Sequence, residues 1–145
     1  MTPLIAANLW EMMHGGSTHL PIALMLVSAV SDGLGCLIKT DQVRDRFHVA
    51  GFIMLIAGTL GAFPAVLSGL MLARWEIGGG GALFWHHVFL WPAFGLLMGL
   101  SVWRIIVRGK RSRTGLFIYL LFAFLAALLV SGAGFWGGEI LLGSS

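Results

Sequence analysis

Four stretches of almost unbroken apolar sequence divide the chain, at residues 20–38, 47–73, 82–107 and 115–140. Each is close to or longer than the roughly 20 residues a helix needs to cross about 30 Å of hydrocarbon. The last three exceed it, so they tilt or run past the membrane surface. Backbone groups in lipid must bond within their own segment, which makes these stretches helices. Ahead of them, Leu4, Ile5, Leu9, Met12 and Met13 fall broadly on one side of a short segment that carries Trp10 and Glu11. It is too short to cross, and its pattern predicts a helix lying in the membrane surface. Residues 14–19, His-Gly-Gly-Ser-Thr-His, then read as a link, with Pro21 in the first turn of the first span, where its missing N–H costs nothing. The expected architecture is an all-α integral membrane protein. One domain, 1–145, is an up-down bundle of four transmembrane helices preceded by an interfacial segment over 1–18.

Composition strengthens this picture. Of 145 residues 58% are apolar and 10% charged, against about 25% charged in ordinary soluble domains, and the mean hydropathy is +0.92. A net charge of +3 and a pI near 9.8 suit a nucleic-acid binder, but the basic residues cluster at helix ends, as membrane topology requires, and nucleic acid is set aside as a partner. The first loop carries Lys39, Arg44 and Arg46, and the third carries Arg104, Arg108, Lys110, Arg111 and Arg113. The second has Arg74 alone, balanced by Glu76, and both ends lack basic residues. The positive-inside rule therefore places loops one and three in the cytoplasm and both termini outside. The N-terminus lacks the pattern of a cleaved secretory signal, so the first span is expected to serve as its own. Cys36 is the sole cysteine, and no Cys-x-x-Cys-His is present, so neither a disulfide nor covalent c-type haem attachment is expected.

The candidate chemistry lies in the histidines. His14 and His19 precede the first span and His86 and His87 open the third, so an up-down path gathers four imidazoles at the outer side, joined there by Glu139. His48 falls at the opposite side, beside Arg44 and Arg46, and is expected in the headgroup layer. Ionisable groups at membrane depth are functional candidates by default. Two imidazoles from different helices are the usual axial pair of a b-type haem, and helix bundles build such sites from facing side chains. One haem, or two stacked ones, would be held near the outer face. His19, abutting the span, is the preferred ligand over His14. His86 and His87 point about 100° apart, and His87 is the preferred one of the two. Gly58, Gly69 and Gly134 leave room for a macrocycle edge or a neighbouring helix, and Phe84, Trp85, Phe89, Trp91, Phe135 and Trp136 offer aromatic walls or an interface belt. Zinc and copper patterns are missing. Asp32 follows Ser28 and Ser31 and is expected to be capped by them or paired with Arg104 or Arg46, with a proton-relay role as the rival. No phosphate loop, nucleophile–base pair or carboxylate dyad appears.

Two segments resemble a known family. His19-Leu-Pro-Ile-Ala-Leu is similar to the His-Phe-Pro-Ile opening, and Gly134-Phe-Trp-Gly-Gly-Glu139-Ile-Leu to the Gly-x-x-Gly-Gly-Glu-Leu ending, of short bacterial four-helix membrane proteins of the domain of unknown function 2231 type. The run Ala65-Val-Leu-Ser-Gly69 and a histidine opening the third helix also fit. Leu20 in place of Phe and the doubled histidine depart from the pattern. The resemblance implies a cytochrome b-like subunit of the bacterial inner membrane, with His19 and either His86 or His87 on the haem. It also implies an extracytoplasmic cytochrome c or iron–sulfur partner, and with almost no mass outside the bilayer the chain is expected to sit in a larger respiratory or photosynthetic complex. Such a subunit transfers electrons without being a stand-alone enzyme. A cofactor-free anchor or assembly subunit is the alternative. A quinone site by Glu139 or His14 is a third reading, and a transporter lacks any inverted repeat to support it.

Overall fold

A computed structural model describes residues 3–107 and 112–142, with side chains over 9–107 and 112–140. Four helices make up the fold: α1 (Pro3–Leu37), α2 (Asp41–Leu72), α3 (Gly81–Val107) and α4 (Arg113–Leu142). All four are long and apolar enough to cross a membrane, and the described residues contain no strand. Arg108, Lys110 and Arg111 of the third loop lie outside the described residues.

The inward seams explain how four such helices pack. On α1 the buried positions are Pro21, Met25, Ser28, Asp32 and Gly35, and on α4 they include Tyr119, Ala123, Ala126 and Ala133. Alternating steps of three and four place one stripe against the partner, as in a left-handed coiled coil. The α2 stripe is Gly51, Leu55, Gly58, Ala62, Ala65 and Ser68. Small residues dominate because helices in lipid gain from close backbone approach, not from escaping water. A Cβ on Gly58 would sit 3.3 Å from the Pro21 carbonyl oxygen and 3.2 Å from Leu24 Cβ. Outward positions hold large apolar groups such as Leu60, Ile106, Phe117, Phe124 and Phe135. The helices associate as two pairs, α1 along α2 and α3 along α4, with sparser packing between the pairs.

One expectation is corrected. Residues 14–19 do not form a link: α1 is helical without a break from Pro3 to Leu37, and Pro21 lies in its interior. Two glycines cost about 1 kcal/mol each against alanine in a helix, yet the helix runs through them. Ser17 Oγ donates to the His14 carbonyl (3.3 Å) and Thr18 Oγ1 to that of Gly15 (3.2 Å). Proline is tolerated within membrane helices where neighbouring groups satisfy the freed carbonyl. At 35 residues and about 1.5 Å per residue, α1 runs roughly 50 Å and outreaches the hydrocarbon core.

Candidate functional site

Polar side chains gather at the two ends of the bundle. At one end the start of α1 meets the end of α2, and the start of α3 meets the end of α4. His14 Nδ1–H donates to the Ala65 carbonyl at 2.9 Å and also lies 3.2 Å from Ser68 Oγ. Ser68 in turn donates to the carbonyls of Pro64 (2.8 Å) and Ala65 (3.0 Å), so its oxygen is an acceptor toward the imidazole. Gly69 makes room for this ring, since a Cβ there would approach its Cε1 to 2.9 Å. On α3, His86 Nδ1–H donates to the Ala133 carbonyl of α4 at 2.8 Å, with Gly137 against the same ring.

His87 is buried and held differently. The Gly78 N–H donates to its Nδ1 at 3.1 Å. Gly78 adopts φ +107°, a backbone state open to glycine, and so aims its amide at the ring. The His87 ring lies 5.8 Å from that of His86 and 6.1 Å from that of Trp91. Trp91 Nε1–H is buried without a hydrogen-bond partner among the described residues. A cavity of about 360 Å³ adjoins His87, Trp91, Phe84 and Gly78. Trp85 and Trp136 stack at 6.1 Å, and Gly132 seats the Phe89 ring.

The structure thus sets His14, His86 and His87 at one end of the bundle, with the rings of His86 and His87 side by side, and leaves His19 exposed. His19 stands five positions after His14, about 140° around a helix, so when one faces the bundle the other faces away. Gly58 serves the α1–α2 contact, and Gly134 is exposed with open space beside it. Glu139 is half-buried on the last turns of α4.

At the opposite end one buried network ties all four helices. Asp32 has no exposed surface. Its Oδ2 accepts from Arg104 Nη1 and its Oδ1 from His48 Nδ1 at 2.8 Å. Arg104 Nη2 donates to the His48 carbonyl (2.7 Å) and Nη1 to Tyr119 Oη (3.2 Å). Tyr119 lies 3.3 Å from Ser28 Oγ, which donates to the Gly51 carbonyl at 2.7 Å. The guanidinium also sits over the rings of Phe52 and Tyr119. Of the two cations expected to pair with Asp32, Arg104 does so. His48 is corrected from a headgroup-layer residue to a partner of that carboxylate. Gly35 permits this, because a Cβ there would fall 2.9 Å from the His48 ring. Sequence reading missed Tyr119 and the hydroxyl pair Thr59–Ser101, 2.6 Å apart between α2 and α3. Their signal was polarity within otherwise apolar spans, Tyr119 being the lone tyrosine.

Compared with known proteins, the chain is matched over residues 12–143 by the family model described as Predicted membrane protein (DUF2231). No curated protein and no solved structure matches it.

Proposed function

The chain belongs to the Predicted membrane protein (DUF2231) family, and from that footing we propose that it is an electron-transfer subunit holding one b-type haem at the histidine end. The observation that carries this reading is the matched state of two imidazoles. His14 on α1 and His86 on α3 each donate Nδ1–H to a backbone carbonyl of the adjacent helix. That bond fixes the tautomer in which Nε2 presents a lone pair, the arrangement typical of metal-bound histidine.

His87 is in the opposite state. Its Nδ1 accepts from Gly78, so the ring proton of the neutral form sits on Nε2. His19 is exposed. The expected pair, His19 with His87, therefore gives way to His14 with His86. Gly69 and Gly137 let the two imidazoles seat against α2 and α4, and the unpartnered Trp91 N–H is a donor for a carboxylate of an acidic macrocycle. A bound haem supplies one-electron chemistry, and the protein sets its position and potential. The bias of Lys and Arg toward loops one and three supports termini on the extracytoplasmic side of a bacterial inner membrane. That orientation turns the haem toward an extracytoplasmic cytochrome c or iron–sulfur partner in a larger redox complex.

A dithionite-reduced minus oxidised spectrum of the purified chain, with pyridine haemochrome quantification, tests the proposal. The expected result is a Soret band with about one haem per chain, lost in His14→Ala and in His86→Ala and kept in His19→Ala. Absence of a Soret band in protein made with ample haem supply sinks it. The cofactor-free anchor then stands, with both imidazoles acting as clamps between helices.

A further inference from the structure

A cavity of about 1740 Å³ opens at the arginine end, where α1 ends, α2 begins, α3 ends and α4 begins. Its lining divides by chemistry. Val49, Phe52, Leu116, Phe117 and Leu120 form apolar walls. Lys39, Arg44, Arg104, Arg113 and His48 line it from the polar side, against a single carboxylate, Asp45. Arg104 is fixed at depth by Asp32, while Lys39 and Arg113 are exposed. Arg44 is held toward α2 by Asp41 at 2.7 Å.

Apolar walls within the membrane and cations at its surface match a ligand with an acyl tail and an anionic head. We propose that this cavity binds an anionic phospholipid, with the phosphate among Lys39, Arg44 and Arg113 and an acyl chain along Phe52, Leu116 and Leu120. The volume supports an occupant of that size, since small-molecule sites measure roughly 300–1,000 Å³. A free phosphate would leave the aromatic and aliphatic walls unused. A quinone would use those walls and leave the cations without a counter-charge. Basic sites between membrane helices recognise acidic headgroups through this combination of charge and depth. The inference is independent of the haem.

The full chain in a neutral detergent is titrated with phosphatidylglycerol, with phosphatidylcholine of the same acyl chains, with inorganic phosphate and with ubiquinone. Bound ligand per chain is read by native mass spectrometry. Phosphatidylglycerol is expected to bind at least about tenfold more tightly than phosphatidylcholine. R44Q/R113Q is expected to lose ten- to thirtyfold of that affinity, at about a few-fold to tenfold per basic group. Circular dichroism and a monodisperse elution profile establish that this variant is folded, and R113Q alone gives a smaller loss in the same direction. Leu116→Trp, which fills the apolar wall, weakens the lipid as well. Equal binding of the two lipids, displacement of phosphatidylglycerol by equimolar phosphate or ubiquinone, or full affinity in R44Q/R113Q overturns the proposal.

Discussion

Asp32 and Arg104 illustrate how much a single pair of side chains carries in an apolar setting. Each is buried, and further hydrogen bonds join them to His48, Tyr119 and the His48 carbonyl. Removing one partner leaves an uncompensated charge at depth, which costs about 3–5 kcal/mol. Asp32→Leu and Arg104→Leu are each expected to lower stability by that amount in denaturant unfolding of the detergent-solubilised chain. The double variant should recover most of the loss, and a double variant as unstable as the sum of the two refutes the coupling. The sequence made Asp32 conspicuous as a carboxylate in a span and offered two cations at its level. Arg104 proves to be the partner because it shares an inward stripe with Leu97 and Ser101. His48 was harder to read. Its neighbours Arg44 and Arg46 suggested the membrane surface, and only the missing side chain at Gly35, on another helix, opens the space it enters.

At the scale of the helix, the apolar runs located all four elements, while the continuity of α1 was hidden. Two adjacent glycines and a proline are break signals in water. In a long membrane helix tied to a neighbour through His14, they bend the energetics without interrupting the backbone. The glycines therefore fall into classes that substitution separates. Gly15 and Gly16 have open space where a Cβ would go, so Gly15→Ala and Gly16→Ala are expected to stabilise the chain by about 0.5–1 kcal/mol each. A Cβ on Gly51 would fall 2.8 Å from the Asp32 carboxylate. Gly51→Ala is expected to destabilise by about 1–3 kcal/mol through overpacking. Thermal melts of the three variants decide the matter, and a stabilised Gly51→Ala contradicts the packing described. The candidate haem ligands were legible only as a group. The choice among them depends on carbonyls of Ala65 and Ala133, 51 and 47 residues away in sequence, which no local pattern reveals.

For the whole molecule, the alternation of spans and basic loops sufficed to place four of the five histidines at one end and Arg44, Arg46, Arg104 and Arg113 at the other. What it left out is the grouping of helices into two hairpins. Between those hairpins the packing is sparse, and polar contacts cross the seam: Asp32 to Arg104, Thr59 to Ser101, and Ser28 to Tyr119. Oil offers two greasy hairpins little reason to choose each other, because lipid is as good a neighbour. A buried carboxylate and a buried guanidinium give them one. Each half carries a buried charge that pairs with one in the other, so the address for assembly is written inside the fold. A chain severed within residues 76–80 and expressed as two fragments should reassemble, read by co-purification. The Asp32→Leu fragment should fail to capture its mate, leaving two orphans adrift in the bilayer.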